Sequence, residues 1–260
     1  MSVKLNAFAK RLSLLHKPGK PVILANVYDG ISAKGLRSTA GAQAAATASY
    51  AIAAACGVAD ADLSLEQNLA AIGAVHRVLG DALPLTVDLQ DGYGARLDEA
   101  VRRAVHAGAA GCTLEDIHPG DAALMSARAM AARVARARAV AAECGVPDFV
   151  VTAQTDAVRL GATLDDVVAR GNAYLAAGAT SVFPWCGREK ELSERDVDLL
   201  VRAFQGRLAM TLGTFSVDNL ADLGVCRIST GPALMYAKMD LFKRSAAALF
   251  EGGSLYNIGA

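Results

Sequence analysis

Val87-Asp88-Leu89-Gln90-Asp91-Gly92-Tyr93-Gly94 follows directly on the apolar run Leu83-Pro84-Leu85-Thr86 and precedes a helical pattern that starts near Leu97. An apolar strand that ends in carboxylates and turns on glycines is where a parallel α/β protein keeps its chemistry. About twenty residues later Gly111-Cys112-Thr113-Leu114-Glu115-Asp116 repeats the design, a short strand closed by two acids. Two neighbouring strands that end in carboxylates suit one hard cation such as Mg²⁺, which takes oxygen ligands and keeps several waters.

The same alternation extends outward in both directions. Strand-like runs are read at 21–26, 44–50, 83–89, 111–116, 148–156, 181–186, 208–212 and 225–229. Helical patterns are read at 31–40, 65–79, 97–107, 125–144, 163–177, 193–204, 216–223 and from 232 onward, several opened by Ser or Thr and stopped by Gly. Eight strands each followed by a helix predict a (β/α)8 barrel, one domain over 1–260 with a short N-terminal helix in front. In such a barrel all eight strand ends meet on one rim. Asn26, Asp29, Ser49, Tyr50, Asp88, Gln90, Asp91, Glu115, Asp116, Gln154, Asp156, Trp185, Thr211, Ser229 and Thr230 are therefore expected there.

The 260 residues carry 26 Lys plus Arg and 26 Asp plus Glu, a formal net charge of zero, so nothing asks for nucleic acid or an anionic membrane as partner. Five scattered cysteines with no CxxC pair read as reduced thiols in a cytoplasmic protein. No apolar segment has the length of an export signal or a membrane span. His16, His76 and His106 fall on helical patterns away from the rim and read as packing or surface residues. The Arg series from Arg128 to Arg138 reads as a solvated helix face.

At the rim the motifs Asn26-Val27-Tyr28-Asp29-Gly30-Ile31-Ser32-Ala33, Gly57-Val58-Ala59-Asp60, Val87 to Gly94, Leu114-Glu115-Asp116 and Thr155-Asp156-Ala157 appear in order. The chain in this respect resembles the isocitrate lyase/phosphoenolpyruvate mutase superfamily, from about Pro21 to the last helix. The resemblance implies a Mg²⁺-dependent enzyme, with Mn²⁺ as an alternative ion, acting on a small 2-oxo or 2-hydroxy carboxylate through a metal-stabilised enolate. It implies Asp88 as the most direct metal ligand and Glu115 as a metal-shell carboxylate, with Gln90 and Asp60 completing the shell through water. Ser49 and Tyr50 match the substrate-binding amides and small polar groups, and Asn26, Gln154 and Trp185 complete the substrate pocket. Proton transfer falls to His118, Tyr50, Asp60 or a metal-bound water. A homo-oligomer, dimer or tetramer, is implied as well, with the last helix, residues 232–249, exchanged between subunits.

Three departures from the family pattern bear on the reaction. Gln90 stands where a second acid is usual, which removes one negative charge and lowers the expected affinity for the cation. Gln154 stands where Arg usually precedes Thr-Asp, so neither the charge nor the bidentate fork of a guanidinium is available at that position. The loop Ile117-His118-Pro119-Gly120-Asp121 lacks the Cys of the isocitrate-type gate, leaving His118 as the loop residue whose ordinary pKa lies near neutrality. Three readings stay open: a C–C lyase, a C–P hydrolase, mutase or metal-independent enzyme of specialised metabolism, and a non-catalytic binding protein.

Overall fold

The computed structural model describes residues 2–117, 123–187 and 190–254. Helix α1 (Ser2–Leu15) comes first, with Leu5, Ala9 and Leu12 buried. The first barrel strand is broken at Ala25 into β1 (Val22–Leu24) and β2 (Asn26–Val27). It is followed by α2 (Gly30–Ser38), β3 (Ala45–Thr47), α3 (Ser49–Cys56), α4 (Leu65–Leu79), β4 (Leu85–Asp88) and α5 (Leu97–His106). Then come β5 (Ala109–Glu115), α6 (Ala127–Glu143), β6 (Val150–Thr155), α7 (Leu164–Ala176), β7 (Ser181–Pro184) and α8 (Glu194–Ala203). The chain continues through β8 (Ala209–Thr211), α9 (Val217–Asp222), β9 (Arg227–Ser229) and α10 (Ala233–Phe250).

Every strand pairing is parallel. Strands β2 to β7 run side by side in sequence order, and β8, β9 and β1 form a second run. A bridge between Val182 and Leu208 joins the two at β7 and β8. The ladders of β1 with β9 and of β2 with β3 complete the ring, and Asn26 ties the turn after β9 to β3. Its Nδ2 donates to the Thr47 carbonyl (2.7 Å), and its Oδ1 accepts from the N–H groups of Thr230 and Gly231 (both 3.0 Å). With β1 and β2 counted as one strand, the ring is the expected eight-stranded barrel.

The core is a continuous apolar layer between strands and helices, with α1 packed against the starts of β5 and β6. A Cβ on Gly111 would stand 2.6 Å from the Val150 carbonyl oxygen and 3.2 Å from Leu12, so only glycine admits this approach. Five helices, α2, α4, α7, α8 and α9, open with reciprocal capping boxes, Asp29 with Ser32 being the first. Among the described residues no helix is long and apolar enough to cross a membrane.

Two sequence boundaries are corrected. The strand read over 44–50 ends at Thr47, and Ser49 and Tyr50 open helix α3 instead. The alanine-rich run after Tyr50 favours helix, and the Ser49 N–H finds its acceptor in the Asp88 carboxylate, not in a ladder. The first strand is two pieces because its halves pair with different neighbours, β9 and β3.

Candidate active site

Asp88 ends β4, and both of its oxygens accept backbone N–H groups: Ser49 on Oδ2 (2.9 Å) and Gln90 on Oδ1 (3.0 Å). Its own N–H donates to Thr47 Oγ1 (2.9 Å), and its carbonyl accepts from Asn68 (2.9 Å). The carboxylate is thereby fixed at the point where the chain leaves the barrel. The following turn passes through the left-handed region at Gln90 (φ 51°), Gly92 (φ 83°), Tyr93 (φ 59°) and Gly94 (φ 62°). Buried Asp91 holds this turn by accepting from the N–H groups of Tyr93 (2.8 Å) and Gly94 (3.0 Å), while Arg133 of α6 donates to the Asp91 carbonyl. Asp91 is thus bound to its own loop. Arg133, in the series read as solvated, is an anchor. The Gln90 amide turns to Asp60, donating to its carbonyl (2.7 Å) and carboxylate (3.2 Å).

The second acidic pair divides its work by strand alternation. Glu115 lines the cavity at the barrel mouth, in register with Gln154. Asp116 is fully buried behind the sheet, where it accepts from Tyr174 Oη (2.6 Å), Arg170 (3.2 Å) and the Asp156 N–H (3.0 Å). Gln154 donates to Asp156 (3.1 Å), whose other oxygen takes Arg159 Nε (2.6 Å). The Arg159 guanidinium in turn lies over the Trp185 ring at 5.5 Å. Gln154 and Trp185 are thus tied to one network, with Asp156 at its centre.

The cavity enclosed by these elements has a volume of about 230 Å³. Asn26, Ser49, Tyr50, Asp60, Asp88, Glu115, Gln154 and Trp185 all reach it, so the structure gathers eight of the ten residues singled out by sequence. Gln90 stands behind Asp60, and His118 lies outside the described residues. Asn26 lines the cavity as expected, but its amide is occupied by the Thr47 carbonyl and the Thr230 and Gly231 N–H groups. Tyr50 packs its ring 6.1 Å from that of Tyr236 on α10.

Burial and mutual repulsion dominate the electrostatics. Burial pushes the Asp88 carboxyl up, opposed by the Ser49 and Gln90 N–H groups, with nearby Asp60 adding to the rise. Burial, then Asp88 and Asp156, pushes Glu115 well above the usual carboxylate range. Burial also raises Asp60, against hydrogen bonds from the Ser49 and Gln90 side chains. Among the described residues no three His, Cys, Asp or Glu side chains form a closed ligand cage. Mg²⁺ binds through one or two carboxylates and retains water. The oxygen donors of Asp88, Glu115 and Asp60 fit such a cation.

Sequence reading missed Thr47, Thr113 and Arg227, which also line the cavity. Arg227 carried the one legible signal, a charged residue at mid-strand in register with the inward-facing Ser229 two positions on.

Known proteins extend this geometry. A family model described as phosphoenolpyruvate phosphomutase matches residues 12–250. The chain belongs to that family. It lies within the isocitrate lyase/phosphoenolpyruvate mutase superfamily, whose members are enzymes. The chloroplastic carboxyvinyl-carboxyphosphonate phosphorylmutase of Arabidopsis thaliana is 31% identical over 190 residues, 67% of this chain and 55% of the plant protein. The 2-methylisocitrate lyase of Escherichia coli (strain K12) is 35% identical over 113 residues, 40% of this chain and 37% of the lyase. The matched stretches therefore span about half of these relatives or less. Among solved structures, a protein of Burkholderia cenocepacia J2315 described as a phosphonomutase superposes with a TM-score of 0.83 at 34% identity, covering 96% of this chain and 100% of that one. Phosphonopyruvate hydrolase, solved with oxalate and Mg²⁺, shares the fold with a TM-score of 0.82 at 24% identity, covering 96% of this chain and 88% of the hydrolase.

Proposed function

We propose that the protein is a Mg²⁺-dependent lyase that cleaves a C–C bond of a small 2-oxo or 2-hydroxy carboxylate through an enolate. The observation that carries this reading is the cluster of Asp88, Glu115 and Asp60, three acids with raised pKa values on one cavity of small-acid size. Asp88 and Glu115 would hold the ion, with Asp60 and Gln90 contributing through water. The bound ion supplies Lewis-acid stabilisation of developing oxyanion charge, worth several kcal/mol in a dry site.

The chain's own residues supply the rest. The α3 N-terminus at Ser49 and Tyr50 turns the positive end of its helix dipole to the cavity, with the Ser49 N–H spent on Asp88. Trp185, pinned by Arg159, walls off water. Asp60, raised toward the protonated form by burial, lines the cavity and would hold a proton there, with Tyr50 on the same cavity as its alternate.

The phosphonate-named relatives support a second reading, C–P hydrolysis or rearrangement on the same cation site. A substrate panel with Mg²⁺ separates the two. Turnover of a 2-oxo or 2-hydroxy dicarboxylate supports the lyase, turnover of a 3-phosphono-2-oxo acid supports the second reading, and turnover of neither sinks both.

The unit implied by the resemblance, a homo-oligomer with α10 lying on a second copy, belongs to the same proposal. Helix α10 has no buried residue along its 18 positions, and Phe242 and Phe250 are 66% and 91% exposed. Its first turns are tethered to their own barrel through Tyr236 beside Tyr50 and Lys238 at 3.7 Å from Asp29.

A further inference from the structure

Below the acid cluster the barrel interior is polar, and its centre is Arg227. Only 4% of this residue is exposed. Its side chain leaves β9 and crosses the barrel. Nη1 donates to Thr152 Oγ1 on β6 (2.7 Å), Nη2 to Thr113 Oγ1 on β5 (3.3 Å) and Nε to Ser229 Oγ (3.2 Å). All three acceptors are neutral hydroxyls. Among the described residues Arg227 makes no ion pair, and it is the only cation lining the cavity that holds Asp88, Glu115 and Gln154. Three hydrogen bonds leave two of its five N–H groups without a described acceptor. A buried guanidinium kept only for packing is costly unless a carboxylate pairs with it. Arg227 nonetheless lines the cavity, and the three hydroxyls hold its guanidinium in place there.

We propose that Arg227 is the anion anchor of this site: its guanidinium on the cavity floor binds the second anionic group of a compact diacid, the task that Gln154 cannot perform. The cavity volume of about 230 Å³ limits that ligand to a few carbons. The inference deepens the lyase reading and rests on it in one respect, that a cation neutralises Asp88 and Glu115 and leaves the charge of Arg227 for the ligand. The substrate class follows: a dicarboxylate or a phosphonocarboxylate, with a monocarboxylate bound much more weakly. Arg227 is then a specificity-determining residue.

The test is calorimetric titration of the intact protein, metal-free and with saturating Mg²⁺, using malonate, phosphonoacetate and acetate as probes. Wild type is expected to bind the two diacids and not acetate. Arg227→Met is expected to weaken diacid binding about tenfold or more, the range of a lost charge-assisted hydrogen bond. Its Mg²⁺ binding, measured without anion, is expected to be kept or strengthened, because a positive charge near Asp88 is removed. The double variant Arg227→Met with Gln154→Arg is expected to recover part of the affinity, which a merely structural Arg227 would not allow. The better of the two diacids decides between carboxylate and phosphonate as the second group. Circular dichroism verifies folding; should Arg227→Met not fold, Arg227→Lys keeps the charge, lacks the fork and is expected to bind diacids several-fold more weakly. Wild-type-like diacid affinity in the folded variant, equal binding of acetate, or no diacid binding by wild type in either metal state overturns the proposal. Absent Mg²⁺ binding alongside Arg227-dependent diacid binding would fell the metal-dependent reading together with the one premise taken from it, and would still assign Arg227 as the anion anchor.

Discussion

Asp88→Ala removes the acceptor of two backbone N–H groups, Ser49 and Gln90, together with the central carboxylate of the cluster. Mg²⁺ binding is expected to vanish in a calorimetric titration, and stability to fall by about 1–3 kcal/mol from the unpaired donors. Glu115→Gln acts in the opposite direction on the metal-free protein. A carboxyl raised by burial and by Asp88 contributes stability below its ordinary pKa, and that stability is lost as pH rises through its folded-state value. The glutamine variant is therefore expected to melt higher than wild type above neutral pH without metal, and to gain less from added Mg²⁺ in a thermal shift assay. Equal melting of the two without metal would contradict the repulsion among these acids. Strand-end position and the two-residue strand period made Asp88 and Glu115 legible in the sequence. The roles of Asp91 and Asp116 were not legible, because Arg133, Arg170 and Tyr174, which settle them, come from helices 40 to 60 residues away.

Among the elements, the turn after β4 carries the most consequence for the site. Gly92 has φ +83°, and a Cβ there would stand 2.5 Å from Leu97 Cδ1 and 3.1 Å from Arg133 Nη2. Gly92→Ala is expected to cost about 1–3 kcal/mol in denaturant unfolding, by backbone strain and by displacing Leu97. Because Gln90 shares the turn, the variant should also weaken Mg²⁺ binding; unchanged stability and unchanged binding together would refute this account of the turn. The alternation of strands and helices was readable in the sequence because hydrophobic periodicity and cap residues are local signals. The break at Ala25 and the helix at Ser49 were not, since each depends on which neighbour supplies the hydrogen-bond partner. Helix α10 was readable as a helix. Its exposed apolar side becomes visible only once the rest of the chain is in place. Phe242→Asp is expected to weaken self-association by about 3 kcal/mol, seen as a shift toward monomer in sedimentation velocity. An unchanged sedimentation profile would remove Phe242 from the proposed contact.

The whole molecule's response to acid is expected to run partly through its floor, at the end of the barrel away from the site. His16 follows α1 with Nδ1 bonded to the Leu12 carbonyl at 2.8 Å and Nε2 buried without a partner among the described residues. Burial, aided by the Arg227 charge, pushes its pKa down to about 4. The unfolded chain takes up this proton near pH 6.5 and the folded chain does not, so stability is lost as pH falls from about 6.5 to 4. The loss is about 3 kcal/mol, and His16→Gln should flatten that limb of a urea-unfolding pH series. Elsewhere in the ring, the seam between β7 and β8 is a single bridge where other neighbouring strands have a ladder, Val182 opposite Leu208, with the Val182 N–H on the Arg207 carbonyl (2.9 Å). A ring fastened by one bridge opens like a bracelet at its clasp. Amide protons of β8 should accordingly exchange with solvent ahead of those in β4, β5 and β6, with the mouth of the cavity widening on the side of Trp185 and Thr211.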